Sequence, residues 1–177
     1  MITVKKCGVC SGVGRTEQQE SLKVRIPKGV ATGQKLKLRA KGNDARAAGE
    51  SGDLYVIINV KEHTLFQRRG SDLFCTVPIQ FTQAALGTDV EVPTLDGKTK
   101  IRINAGTSSG KVLRLAGRGL PTMKGSKRGD LHLELEVETP TNLTDAQRDA
   151  LQKLENALGT SAHPQQSSFI ENMRNRS

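Results

Sequence analysis

Three cysteines and three histidines carry the chemistry that this chain could offer to a metal or a reacting thiol. Cys7-Gly8-Val9-Cys10 sets two thiols at metal-ligand spacing, and Gly12 and Gly14 let backbone amides approach the sulfurs. Zinc takes four ligands in a tetrahedron, and only two are offered here. Three readings of the pair stay open: half of a truncated zinc site, a redox dithiol, or a remnant that binds no metal. A thioredoxin-like dithiol needs a strand-to-helix junction in a βαβ setting, which the flanking residues do not supply. Half-site and remnant therefore rank above redox. Cys75 alternates with Leu73, Val77 and Ile79 and is expected to be a buried hydrophobe. His63, His132 and His163 are isolated, with no nucleophile–histidine pairing. The expectation is a protein that binds, with no catalytic residues and no cofactor.

The elements that must position these side chains are bounded by composition. The chain has 177 residues, a formal net charge of +9, 35% hydrophobic and 3% aromatic residues. That length allows one domain or two small ones. Leu54 to Ile58, the longest apolar run, is far short of the ~20 residues of a membrane-spanning helix, and Met1 to Lys6 lacks the apolar stretch of a secretory signal. An odd number of cysteines makes no disulfide framework, so a reducing, cytoplasmic setting is expected, away from membranes. The first sixty residues carry eleven Lys and Arg against five Asp and Glu. Much of this excess lies in Lys23-Val24-Arg25-Ile26 and Lys35-Leu36-Lys37-Leu38-Arg39, where period two sorts cations onto one strand face and aliphatics onto the other. Such a face is either simply solvated or an electrostatic footprint for an acidic partner, peptide or nucleic acid.

The sequence repeats itself. An ungapped shift of 77 positions lays residues 24–60 on 101–137 with eleven identities. They include Gly29/Gly106, Gly33/Gly110, Leu36/Leu113, Gly42/Gly119 and Gly52-Asp53-Leu54 on Gly129-Asp130-Leu131. Each copy reads as strand, glycine turn, strand, long loop, strand. Ahead of the second copy, Leu73, Cys75, Val77, Ile79 and Phe81 alternate, Thr82 to Leu86 suits a short helical turn, and Asp96-Gly97 marks a hairpin between Val90/Val92 and Ile101/Ile103. The predicted fold is mainly β: two tandem β-sandwich or open-barrel lobes of related topology, 1–69 and 70–140. The first lobe looks short of an upstream strand, as though cut from something longer.

A C-terminal helix is expected over 141–159, with Thr144 and Gln147 as its capping box and Leu151, Leu154 and Leu158 on one stripe. That stripe either docks on its own lobe or pairs with another chain. Residues 160–177, rich in Ser, Gln and Asn, are expected to form a mobile tail.

Several motifs in order now carry a resemblance: Cys7-Gly8-Val9-Cys10-Ser11-Gly12-Val13-Gly14, Val24-Arg25-Ile26-Pro27-Lys28-Gly29 with Gly33, Gly52-Asp53-Leu54-Tyr55, His63-Thr64-Leu65-Phe66, Val92-Pro93-Thr94-Leu95-Asp96-Gly97 and Gly129-Asp130-Leu131. From about Ile2 to Leu158 the chain resembles the C-terminal peptide-binding region of DnaJ-type co-chaperones. The resemblance implies two β lobes and a dimerisation helix in a V-shaped homodimer. It also implies that unfolded polypeptide is held in a shallow apolar groove on the first lobe and passed to a DnaK-type ATPase chaperone. Projected here, the groove draws on Ile2, Val4 and Phe66, with Leu36 a weaker addition, and the dimer seam on Leu151, Leu154 and Leu158. Two departures stand out. The zinc-bearing subclass has four CxxCxGxG units and this chain one, so zinc is not expected. The His-Pro-Asp signature of the J-domain is absent, so the chain as given is not expected to stimulate the partner's ATPase.

The repeat offers a check independent of any family. Where the second copy turns His132, Glu134 and Glu136 outward, the first has Tyr55, Ile57 and Asn59. An apolar outer face must be covered or must bind something. Tyr55 and Ile57 thus join the candidate groove, unless a neighbouring loop or strand covers them. Two rival functions remain on the residues alone. One is a basic β protein that binds nucleic acid, against which the scarcity of aromatics counts. The other is a CxxC thiol–disulfide oxidoreductase.

Overall fold

The computed structural model describes Gly8 and residues 19–43, 51–122 and 127–175. Ile2, Val4, Cys7 and Cys10 lie outside the described residues. The chain is mainly β and divides into two units. Among the described residues, the first unit holds those up to Lys61 with Pro121 and Thr122, and the second holds Glu62 to Leu120 and those from Lys127 onward.

In the first unit, β1 (Lys35–Leu38) pairs antiparallel with β2 (Leu54–Ile57), placing Lys35 opposite Ile57 and Lys37 opposite Tyr55. Leu36, Leu38, Leu54 and Val56 point to the other, half-buried face, which continues into buried Ile58. Residues 23–26 were expected to be a strand and are not one. Their copies, 100–103, close a two-stranded ladder in the second unit, whereas no neighbour pairs with 23–26 among the described residues. A strand's backbone groups need that partner.

The second unit contains β3 (Gln67–Arg69), β4 (Asp72–Gln80), α1 (Phe81–Leu86), β5 (Thr88–Thr94), β6 (Gly97–Ile103), β7 (Lys111–Leu115) and β8 (Leu131–Glu138). Four strands form a mixed sheet in the order β3-β4-β8-β7, with β4 and β8 parallel, and β5 pairs with β6 as a hairpin. The period-two pattern of β4 and β8 sends Leu73, Cys75, Val77, Ile79, Leu131, Leu133 and Leu135 into one core with Val92, Ile101 and Ile103. Burying each of the larger ones stabilises the unit by about 1.5–3 kcal/mol. Phe81 leaves the alternation and opens α1, where Gln80 and Gln83 exchange capping hydrogen bonds. The hairpin loop is Leu95-Asp96, one residue earlier than expected, and Gly97 follows at φ 121°.

The 77-residue repeat holds bond by bond. Leu36↔Val56 in the first ladder corresponds to Leu113↔Leu133 in the second, at the same register. Gly33 donates to the Ile58 carbonyl at 2.8 Å, and Gly110 to that of Leu135 at 2.8 Å. Gly42 donates to Gly52 at 2.7 Å, and Gly119 to Gly129 at 2.8 Å. The chains approach so closely there that a Cβ on Gly42 would lie 2.8 Å from the Asp53 carbonyl oxygen, and one on Gly119 would lie 2.6 Å from the Gly129 carbonyl carbon. Thr32 Oγ1 accepts from the Val60 amide at 3.0 Å, and Ser109 Oγ from that of Val137 at 3.0 Å. Side-chain identity drifts, but backbone satisfaction does not.

After β8 comes α2 (Asp145–Ala157). Thr144 caps it, its Oγ1 accepting from the Gln147 amide at 3.4 Å while Gln147 Oε1 accepts from the Thr144 amide at 2.9 Å. A further helix, α3 (Pro164–Arg174), occupies the segment expected to be a structureless tail. Proline at its start fixes φ where an amide is not needed.

Candidate functional site

Alternation along β1 and β2 puts four side chains on the outer face of the first unit: Lys35, Lys37, Tyr55 and Ile57. Tyr55 is 56% and Ile57 66% exposed, although both are large and apolar enough to favour burial. Lys37 frames this pair. Its ammonium lies 5.8 Å from the centre of the Tyr55 ring, a cation–π contact, and 2.6 Å from Asp53 Oδ2. Asp53 Oδ1 accepts from the Ala40 amide at 3.1 Å, so one carboxylate ties the end of β1 to the start of β2. The Lys37 hydrogen bond, with the Ala40 amide second, holds the Asp53 carboxyl below its ordinary range. Asp53 in turn holds the Lys37 ammonium above its own.

The second unit repeats this framework with other chemistry. Val112 and Glu134 take the positions of Lys35 and Ile57, and Arg114 and His132 those of Lys37 and Tyr55. Arg114 reaches Asp130 at 3.5 Å, and Asp130 accepts from the Gly117 amide at 2.8 Å. Here β4 supplies a cover that the first unit lacks among its described residues. Phe74 stacks on His132 with ring centres 4.7 Å apart, and the Arg69 guanidinium lies 4.5 Å from the Phe74 ring centre. The same face is therefore polar and stacked in one unit, and apolar and open in the other.

Of the residues projected onto the groove, the structure brings Tyr55 and Ile57 together. Leu36 faces the opposite side of β1, against Val56, so it lines no surface with them. Phe66 is 9% exposed and belongs to the core of the second unit. The cause is β3, which pairs with β4 and carries residues 62–69 out of the expected first lobe into the second unit. Ile2 and Val4 fall outside the described residues. Sequence reasoning left out Lys35 and Lys37 as the rim of the site, although their alternation with Leu36 and Leu38 was the signal for it.

On α2, Leu151 is half-buried while Leu154 and Leu158 are 42% and 41% exposed. Their spacing places them along one side of the helix. Phe169, Ile170 and Met173 of α3 are also exposed, a stripe that the polar composition of the segment hid.

Cys75 sits in the second unit's core, where burial pushes its thiol up and makes it a poor nucleophile or ligand. Among the described residues no three His, Cys, Asp or Glu side chains converge on a metal position. Two thiols at Cys7 and Cys10 do not make a four-ligand zinc set within one chain. No described helix is long and apolar enough to cross a membrane.

Comparison with known proteins agrees with the framework described above. The family model of the DnaJ C terminal domain matches residues 2–140. The chaperone protein DnaJ of Cereibacter sphaeroides is 46% identical over 174 residues, covering 98% of this chain and 45% of that protein. Its namesake from Acetivibrio thermocellus is 42% identical over 173 residues, 98% of this chain and 45% of that one. The Fusobacterium nucleatum protein of the same name is 41% identical over 170 residues, 96% of this chain and 43% of that one. The chain spans a little under half the length of the curated relatives it matches. With its duplicated ladder, its Gly-Asp-Leu strand starts and a family match over most of its length, the chain belongs to the DnaJ C-terminal domain family.

Proposed function

We propose that the chain is the client-holding part of a cytoplasmic co-chaperone. In this reading the outer face of β1 and β2, centred on Tyr55 and Ile57, takes up extended apolar segments of unfolded polypeptides. It keeps them from aggregating and releases them to a DnaK-type ATPase chaperone. One observation carries the reading: the first unit exposes Tyr55 and Ile57 where the second, on the same ladder, turns His132 and Glu134 outward. Contact with that face removes apolar surface from water at ~25 cal/mol per Å². Because such binding reads hydrophobicity more than sequence, it suits many clients, and modest contact area suits quick release. The mechanism is physical, with no covalent step and no cofactor.

The stripe of Leu151, Leu154 and Leu158 would join two chains, so that each dimer presents two apolar faces to one client. The similarity to proteins named chaperone protein DnaJ supports this assignment over nucleic-acid binding or thiol chemistry.

The test is light scattering of an aggregating client with and without the chain. Tyr55→Asp and Ile57→Asp should each weaken aggregation suppression several-fold while circular dichroism stays native. Undiminished suppression by both folded variants sinks the assignment of this face.

A further inference from the structure

The first unit's outer face is electrostatically lopsided. Lys37 has its charge answered by Asp53 at 2.6 Å. Glu20, the other carboxylate among the described residues of this unit, is held by Lys41 at 3.0 Å. Lys35, directly across the ladder from Ile57, has no ion pair among the described residues. The described part of the unit therefore has no acid of its own left to set against Lys35. On the same face of the chain, Asp53 lies two residues before Tyr55, and Ile57 two residues after it. One end of the apolar pair thus carries an anion and the other an unanswered cation. The second unit reverses the signs, with Val112 in the place of Lys35 and Glu134 in that of Ile57.

We propose that Lys35 makes this face selective for extended apolar segments that bear a carboxylate, placed at the Ile57 end. The inference rests on the reading of Tyr55 and Ile57 as a client-binding surface and names the class of segment it favours. The segment's apolar side chains cover Tyr55 and Ile57, and an aspartate or glutamate beside them meets the Lys35 ammonium. The reverse placement sets that acid against Asp53. Charge thereby gives direction to a surface that apolar contact alone would leave without one. An exposed ion pair of this kind changes affinity by about two- to fivefold, and salt screens it.

Three labelled nonapeptides with one apolar core and Glu, Gln or Lys at the same flanking position provide the test, titrated against the full 177-residue chain by fluorescence anisotropy. Affinity should fall in the order Glu, Gln, Lys, by about two- to fivefold per step. The differences should collapse at about 0.5 M salt, where the screening length is only a few ångström. Lys35→Glu should reverse the order, and Glu134→Lys in the second unit should leave it intact. An unchanged order in Lys35→Glu overturns the proposal. So does equal binding of a polyglutamate peptide without the core, which marks a bare charge patch, or displacement of the Glu peptide by single-stranded DNA at the same salt. If all three peptides bind equally and Tyr55→Asp abolishes binding, the charge preference falls and the client surface stands. If none binds, both fall together.

Discussion

Ala40 holds a left-handed backbone, φ 53°, at the position where its counterpart Gly117 holds φ 68°. Both amides donate to the aspartate that opens the next strand, Ala40 to Asp53 at 3.1 Å and Gly117 to Asp130 at 2.8 Å. The turn needs that conformation in both copies, and only one copy supplies the residue that adopts it freely. Ala40→Gly should therefore stabilise the first unit by up to about 1 kcal/mol, relief of strain exceeding the added chain entropy. Gly117→Ala should cost the second unit about 1–2 kcal/mol. Urea denaturation of each variant checks both signs, and a destabilised Ala40→Gly contradicts the argument.

The Lys37–Asp53 pair predicts a pH window. Asp53 is held below its ordinary value of 3.8, so its contribution is full above that value and is lost as pH falls through the folded-state value. Lys37 is held above its ordinary value of 10.5, so its share is full below that value and is lost as pH rises through the folded-state one. The difference in denaturation midpoint between the native chain and Asp53→Asn should thus be widest at neutral pH and shrink near pH 2. A difference that persists unchanged in acid rules out the ion pair as its source.

The α2 stripe predicts the assembly state. Leu154→Asp with Leu158→Asp should turn a two-chain mass into a one-chain mass in solution, with the β signal in circular dichroism unaltered. Multi-angle light scattering reads this directly. A native chain that already runs at 19.1 kDa removes the seam.

Removing metal should leave the client-holding activity where it was. The chain offers two cysteines at Cys7 and Cys10 and a third, Cys75, locked in the second unit's core. Aggregation suppression before and after chelation, with elemental analysis for zinc, makes the comparison. A chelator-dependent loss of suppression would mean that a metal holds the active form.

How much of this was legible in the sequence depended on how local each determinant is. The repeat, the α2 capping box and the alternation of β4 and β8 are written in short-range patterns, and the fold follows them. The face of Leu36 depends on cross-strand register, which the paired Lys37 and Tyr55 reveal only once β1 and β2 are joined. Phe66 sits beside a motif of the first copy in sequence, yet β3 belongs to β4, and that pairing is a tertiary choice. In α3, Phe169 and Met173 stand at helical spacing inside a Ser- and Gln-rich stretch whose composition argued for a tail. Charge alternation at 23–26 predicted a strand because it matches β6, but half of a hairpin pattern does not make a ladder by itself.

The bond-for-bond agreement of the two ladders separates what holds each unit up from what each unit shows to the world. Outward positions such as 55 and 132, or 57 and 134, owe little to the internal framework, so their identities have been free to diverge after duplication. The second unit is thereby a built-in blank for the first. Its surface can be rewritten with tyrosine and isoleucine, as a transplant onto an unaltered frame.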